Sequence, residues 1–250
     1  MSFTVPEAYD RFMGRYSAPL SPQLAELANV EVGQRVLDVG CGPGALTAEL
    51  VMRLGPEAVT AVDPSMPFVD AVRARYPGVD VRCASAESLP SPDGTFDATL
   101  AQLVVHFMDD PVTGLREMRR VTRQGGVVAA SVWDHAGEGP LRHFWDAARQ
   151  LDPDVHDESH LPGVREGHLG DLVRAGGAGE VEETQFEVTV EHRSFEDWWE
   201  TLTLGVGPAG SYTVSLGPEA QHRLREAARE RLPSGPFRLT ARAWAVRGIA

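Results

Sequence analysis

The stretch VLDVGCGPGALT, Val36 to Thr47, decides the fold. It begins with a short apolar run closed by glycine, which is typical of a buried parallel strand. A glycine-rich turn follows, and the segment after it has the composition of a helix. The stretch therefore predicts a strand, a tight turn and a helix start, with glycines that allow a ligand to approach the backbone closely.

The same alternation continues on both sides of this stretch. Predicted strands cover 35–40, 58–63, 79–84, 96–102 and 125–133, and predicted helices cover 44–55, 67–75 and 110–123. Strands that alternate with helices at this spacing favour βαβ units and an α/β fold with a doubly wound, mostly parallel sheet.

The second half of the chain is less regular. Between residues 134 and 179 only 141–151 is predicted to be helical. Period-two alternation predicts strands at 181–192 and 238–248. Between these strands the sequence predicts helices at 195–204 and 218–232, joined by a flexible loop at 205–212.

Composition excludes several classes of protein. The 250 residues suffice for one domain with a large core, and we treat 1–250 as a single domain. All 23 basic side chains are Arg, which excludes mechanisms that need a Schiff-base or P-loop lysine. The net charge of −13 disfavours nucleic acid as a partner, so we expect a small-molecule substrate.

The acid excess is local and the cysteines are few. Residues 151–200 hold 14 acidic side chains and 3 Arg, which favours a solvated face, with attraction of a cationic substrate as the alternative. Two cysteines, and a start without a basic and an apolar leader region, predict a cytoplasmic protein. We expect no membrane partner, and a monomer or homodimer.

The glycine turn allows two interpretations from the residues alone. Gly40, Gly42 and Ala45 satisfy the G-x-G-x-x-A fingerprint of dinucleotide sites, and Asp63 follows at the distance where a carboxylate accepts ribose hydroxyls. Pro43, however, removes a backbone donor that a pyrophosphate would use. A nicotinamide dinucleotide therefore stays a rival ligand.

Four motifs resemble the class I S-adenosylmethionine-dependent methyltransferases, in particular the small-molecule branch related to the ubiquinone and menaquinone methyltransferases. They are VLDVGCGPG, AVDPSM, ASAESLPSPDGTFDATLAQ and RVTRQGGVV, and they cover roughly residues 33–133. The resemblance implies a Rossmann-like, seven-stranded sheet with a helical lid inserted before the last strand. Residues 1–133 would then form the cofactor half, and 134–179 and 195–236 would be substrate-side insertions.

The resemblance also implies a cofactor, S-adenosyl-L-methionine, and its product, S-adenosyl-L-homocysteine. Asp63 would accept from the ribose, Asp38 would meet the ammonium, and Arg15 would pair with the carboxylate. The family often has Asp where this chain has Ser85. The expected cofactor-binding residues are Tyr9, Arg15, Asp38, Gly40, Cys41, Gly42, Asp63, Pro64, Ser65, Met66, Ser85, Ala86, Glu87, Ala101, Gln102 and Leu103.

Methyl transfer from a sulfonium needs positioning and exclusion of water more than a covalent catalyst. A general base matters only where the acceptor must lose a proton, and His106 is the candidate, with His135 and His143 as weaker ones. A packing role would also explain His106. We expect the substrate pocket to include Trp133, Trp198, Trp199 and Tyr212.

We expect no metal site. His156, His160 and His168 lie among Asp residues, but their spacing matches no metal motif, and a solvated acidic loop explains the composition. The predicted function is methyl transfer from S-adenosylmethionine to a small acceptor. The rivals are a protein that binds the cofactor as a sensor or scaffold, and a cyclase-like enzyme of the same fold.

Overall fold

The centre of the molecule is a seven-stranded sheet, seen in a computed structural model that describes residues 6–250. The strand order is β3-β2-β1-β4-β5-β7-β6, with β1 to β5 parallel and β7 antiparallel to both of its neighbours. The predicted Rossmann-like α/β fold with seven strands is confirmed. The strands are β1 Val36–Val39, β2 Val59–Asp63, β3 Asp80–Cys83, β4 Phe96–Gln102, β5 Thr122–Trp133, β6 Gly179–His192 and β7 Phe237–Ile249.

Ten α-helices in the described residues surround this sheet. A π-helical turn, Asp10–Gly14, joins the first two. Three helices follow β6 and precede β7, as the resemblance implied. The helices are α1 Pro6–Tyr9, α2 Arg15–Leu27, α3 Ala45–Leu54, α4 Met66–Arg75, α5 Pro111–Val121, α6 Arg142–Leu151, α7 His168–Ala175, α8 Phe195–Leu202, α9 Gly207–Ser215 and α10 Pro218–Arg229.

Two predictions for the second half were wrong. The expected loop at 205–212 is largely helical, because α9 covers Gly207–Ser215. A Cβ on Gly210 would lie 2.8 Å from the backbone of Gly205, so this glycine allows a close packing contact. The helix α7 was also missed, although it buries Leu169 and Val173 against the sheet. Tertiary packing overrides weak local propensity in both places.

A buried network ties the N-terminal helices to the far end of the chain. Arg15 Nη1 lies 3.0 Å from Nδ1 of His192 and 3.0 Å from a carboxylate oxygen of Asp197. The Tyr16 hydroxyl lies 2.9 Å from Nε2 of the same imidazole. Because arginine only donates, Nδ1 must accept, so Nε2 carries the proton and donates to Tyr16. We call these four residues the N-terminal clasp.

The clasp makes stability depend on pH. Burial, followed by the nearby Arg15, lowers the pKa of His192 to about 4, while an unfolded histidine titrates near 6.5. As the pH falls below about 6.5 the unfolded chain binds this proton and the folded chain does not, so stability is lost between about 6.5 and 4. Between pH 7 and pH 4.5 we expect the free energy of unfolding of His192→Gln to fall by about 2 kcal/mol less than that of the wild type. Urea denaturation at both pH values measures this difference.

The same substitution at His222, which is exposed on α10, serves as the control. His222→Gln should follow the wild-type pH dependence. An unchanged pH dependence in His192→Gln would show that His192 is not kept neutral by the clasp.

Candidate active site

A cavity of about 680 Å³ opens at the carboxyl edge of the sheet, beside the ends of β1, β2 and β4. Strand order reverses between β1 and β4, and ligands of open α/β sheets bind at such switch points. The volume falls in the range of small-molecule sites. The predicted residues that line it are Tyr9, Asp38, Gly40, Cys41, Gly42, Asp63, Pro64, Ser65, Gln102, Leu103 and His106.

The glycine loop forms one wall of this cavity. Gly40, Gly42 and Gly44 all have left-handed backbone angles, with φ of 70°, 52° and 100°. A Cβ on Gly40 would lie 2.4 Å from a methyl group of Val104, whereas one on Gly42 would meet nothing within 4 Å. Gly40 is therefore required for packing, while Gly42 leaves open space at the cavity wall.

Asp63 fastens this loop from the end of β2. Its carboxylate accepts from the backbone N–H of Gly42 at 2.9 Å and from that of Ser65 at 2.8 Å. Burial raises the pKa of Asp63, and the two backbone donors oppose that rise. A carboxylate accepts about four hydrogen bonds, so Asp63 can still accept from a ligand in the cavity.

Asp38 is a buried carboxyl group at the floor of the cavity. One oxygen accepts from the Thr47 hydroxyl at 2.6 Å, and the other has no partner among residues 6–250. Burial raises the pKa of Asp38 to about 7, and the negative charge of Asp63 contributes to the rise. Burial of an ionised carboxyl group costs free energy. A carboxyl group with a strongly shifted pKa in a cleft is therefore a candidate functional group.

Three further buried polar atoms on cavity-lining residues lack partners in the described part of the chain. They are Ser17 Oγ, Gln102 Oε1 and His106 Nδ1. Gln102 Nε2 donates to the Ser17 carbonyl at 3.0 Å, which leaves the amide oxygen unpaired. Buried polar groups are hydrogen-bonded in the great majority of cases, so this concentration favours a polar ligand.

The backbone is strained directly after β4. Leu103 has a φ of 60°, which is uncommon for a residue other than glycine, and its N–H donates to the Ser131 carbonyl at 2.8 Å. Backbone strain of this kind clusters at ligand sites. The turn brings Val104 against the glycine loop and places His106 at the cavity.

Six of the expected cofactor-binding residues are not among the described residues that line the cavity. Arg15 belongs to the N-terminal clasp, where it pairs with Asp197 instead of facing the cavity. Ala101 is fully buried in β4, and Met66 is 45% exposed. Ser85, Ala86 and Glu87 follow β3, where a Glu87 oxygen accepts from the Asp110 N–H at 3.3 Å.

The four expected substrate-pocket residues lie in different places. Trp133 lines a separate void of about 30 Å³ that also touches His106. Trp198 and Trp199 are buried in the core, where both pack against Phe195. Tyr212 packs against Phe144 and Trp145. These last three positions pack against other aromatic side chains, and their place in a substrate pocket stays a prediction.

The three histidine candidates differ in position. His106 is 4% exposed. Burial is the main cause that holds its pKa well below the usual range, and the neighbouring His135 lowers it further. His135 lines the void, and burial also lowers its pKa. His143, on α6, is not among the described residues that line these spaces.

The histidines of the acidic segment take part in other contacts. Within residues 6–250 no group of three His, Cys, Asp or Glu side chains could hold a metal ion. His168 Nδ1 instead accepts from the Gly163 N–H at 3.2 Å, and His160 lies beside Arg165.

No helix among residues 6–250 is both long and apolar enough to span a bilayer.

Sequence reasoning missed several residues of the cavity wall. Pro43 and Ala45 lay inside the quoted motif and Ser17 at the end of the N-terminal segment, so each had a signal. Leu161 reaches the cavity from the irregular acidic segment, where no local pattern marks it. The missed residues are Ser17, Pro43, Ala45, Leu46, Phe68, Val104, Phe107, Asp109 and Leu161.

Comparison with known proteins gives a family match in the cofactor half. Residues 37–130 match the methyltransferase domain family. A malonyl-acyl-carrier-protein O-methyltransferase of Serratia marcescens is 31% identical over 164 residues, which are 63% of this chain and 62% of that protein. The chain thus matches somewhat less than two thirds of that relative's length.

Solved structures share the fold at lower identity. A Haemonchus contortus phosphoethanolamine N-methyltransferase, bound to S-adenosylhomocysteine, is 14% identical with a TM-score of 0.59, covering 100% of this chain and 60% of that one. A cyclase named SpnF is 22% identical with a TM-score of 0.57, covering 93% and 80%. These likenesses establish the fold and leave the reaction open.

The two glycines of the loop should respond differently to the same substitution. Gly40→Ala adds a clash with Val104 to a left-handed backbone, and we expect it to lower the free energy of unfolding by about 3 kcal/mol. Gly42→Ala should cost only about 1 kcal/mol, since its Cβ meets open space. The affinity of the Gly42→Ala variant for S-adenosylhomocysteine should nevertheless fall at least about tenfold. Urea denaturation and titration calorimetry measure the two effects, and equal losses of stability would contradict this division.

Proposed function

We propose that this chain, whose residues 37–130 match the methyltransferase domain family, is a class I S-adenosylmethionine-dependent methyltransferase that transfers the methyl group of S-adenosylmethionine to a small-molecule acceptor. The whole chain acts as one domain, with 134–179 and 195–236 on the substrate side. The observation that carries the proposal is the set of four unpartnered, buried polar atoms on residues of one cavity.

The residues present fit the cofactor. An ammonium group donates hydrogen bonds and carries positive charge, so it matches Asp38 Oδ1 and the neutral acceptors Ser17 Oγ and Gln102 Oε1. The remaining acceptor capacity of Asp63 suits a ribose diol. A carboxylate is favoured by the first-turn N–H groups of α3, which begins at the cavity with Ala45. When bound, the sulfonium supplies an activated methyl group.

The chain's own contribution is then position and exclusion of water. Tyr9 and Phe68 both line the cavity and make an edge-to-face contact with ring centroids 5.7 Å apart, and they would cover the adenosine of a bound cofactor. The strained turn at Leu103 holds His106 on the transfer side. Holding two reactants in line in a dry site supplies most of what such a displacement needs.

The residues of the cavity say less about the methyl acceptor than about the cofactor. The relative from Serratia acts on a malonyl group carried by a protein, so a carrier-bound acceptor belongs in any test panel. Inside the cavity the acidic lining residues are Asp38, Asp63 and Asp109, and the small adjoining void rules out a bulky group behind His106. A small, partly apolar acceptor suits this space best.

Asp38 gives the cofactor site a pH dependence with a defined sign. Its pKa of about 7 describes the protein without ligand, and a bound ammonium favours the ionised form. Affinity for S-adenosylhomocysteine should therefore rise as the pH increases through 7, by about tenfold between pH 6 and pH 8. Titration calorimetry in two buffers of different ionisation enthalpy measures both the affinity and the released proton.

Asp38→Asn is the matched variant for this measurement. It should bind more weakly and show a flat profile between pH 6 and 8. A wild-type affinity that does not change with pH would contradict the contact between Asp38 and the ammonium.

Methyl transfer itself is tested with S-adenosylmethionine labelled in its methyl group. The panel contains small hydroxyl, amine and carbon-acid acceptors and malonyl-acyl-carrier protein, with Asp63→Asn as the binding-deficient control. We expect label in a small acceptor with the wild type and at least about a hundredfold less with Asp63→Asn. Binding of the cofactor without label transfer to any acceptor would favour the sensor or cyclase alternatives. Preferential binding of a nicotinamide dinucleotide would overturn the cofactor assignment.

A further inference from the structure

Two buried histidines separate the large cavity from a second opening on the surface. His106 lines the 680 Å³ cavity and also the 30 Å³ void behind it. His135 lines that void and also a polar cavity of about 310 Å³. The ring centroids of the two imidazoles are 5.5 Å apart. The three spaces thus follow one another, with one imidazole at each boundary.

The void has the size and the lining of a water site. A volume of 30 Å³ holds about one water, which needs two to four polar partners, and is too small for an acceptor. Its wall includes His106, His135, Trp133 and Glu158. Trp133 Nε1 and His106 Nδ1 are both buried, and neither has a partner in the chain from residue 6 onward. One water that accepts from the Trp133 indole and from a protonated His106 Nδ1 would satisfy both atoms, and His106 Nε2 then stays the acceptor that can take up a proton.

Glu158 places a buried negative charge beside His135. One of its oxygens lies 3.9 Å from His135 Nε2, and the other accepts from Trp145 Nε1 at 3.0 Å. The remaining charges that face this imidazole are Asp134 and Asp157, with Arg142 and Arg149 across the polar cavity. Both arginines are paired with acidic side chains, Arg142 with Glu138 and Arg149 with Asp146 and Asp157.

We infer that His106, the water-sized void and His135 form a proton path from the transfer site to the surface, and that Glu158 stabilises the proton as it passes His135. This inference rests on the proposed function and narrows it. The acceptor must carry a hydrogen on the atom that is methylated, as a hydroxyl group does. A thioether or tertiary amine would have no proton to release.

The reaction balances along this path. The O–H bond of the acceptor breaks and its proton moves to His106, while the oxygen electron pair forms the new bond to the methyl carbon. The carbon–sulfur bond breaks, and its electron pair stays on sulfur and cancels the positive charge there. The proton then passes through the void and His135 to solvent in the polar cavity. His135 and Glu158 are positioning residues, since neither lines the cavity of the cofactor.

The path can be tested first without any reaction. In NMR spectra of the ligand-free protein, the indole N–H of Trp133 should show magnetisation exchange with a bound water. The indole N–H of Trp145 donates directly to Glu158, so its exchange with water should be weaker, and it is the internal comparison. Absence of water contact at Trp133 would mean that the void is dry, and the inference would fail.

Glu158→Gln then removes the charge while its amide oxygen can still accept from Trp145. Since Glu158 raises the pKa of His135, histidine NMR should show that imidazole titrating at lower pH in the variant. With a hydroxyl acceptor from the panel, kcat should fall at least about tenfold at unchanged KM, with its acidic limb displaced to lower pH.

Glu138→Gln is the matched control, because Glu138 lines the same polar cavity but is half exposed and paired with Arg142. It should leave kcat, its pH profile and the titration of His135 unchanged. Methylation that persists in Glu158→Gln with wild-type kcat and pH profile would overturn the proton path. If the wild type itself methylates no acceptor, the proposed function fails instead, and the water contact of Trp133 is decided independently.

Discussion

The close approach of the glycine loop to the segment after β4 is the constraint on which the site depends. There is no room for even one methyl group between Gly40 and Val104. The Asp63 carboxylate, at the end of β2, holds the same loop through the Gly42 N–H. The ends of three parallel strands are thereby joined in one rigid arrangement, and the cavity is the space that this arrangement leaves open.

The site contains groups whose burial or backbone conformation costs free energy, and contacts elsewhere in the fold offset this cost. A carboxyl group is buried at Asp38, and Leu103 adopts a left-handed conformation beside it. Against this, the N-terminal clasp fastens α2 to the end of β6 and to α8, and the Ser17 carbonyl accepts from Gln102. The segment that brings Tyr9 and Ser17 to the cavity is thus anchored at two places far apart in the sequence.

Part of the acid excess lies at the edge of the sheet. β6 is the outermost strand, and its exposed face carries alternating glutamates. Two of them pair across the sheet with arginines of β7, Glu182 with Arg247 at 3.3 Å and Glu191 with Arg238. Charged side chains of this kind discourage edge-to-edge association.

Strand periodicity and the turn at Gly40–Gly44 are local properties, so the sequence predicted the parallel strands and the glycine turn. The resemblance to a known family supplied most of the eleven predicted residues that line the cavity. The sequence could not decide the partner of Arg15, which is Asp197, 182 positions further along the chain. Nor could it decide that Trp198 and Trp199 fill the core or that His106, His135 and Glu158 meet around one void. Such contacts depend on how distant elements pack, and a side chain's pattern in the sequence does not specify which distant group will cover it. The tertiary structure alone therefore decided which polar side chains face one another in the interior.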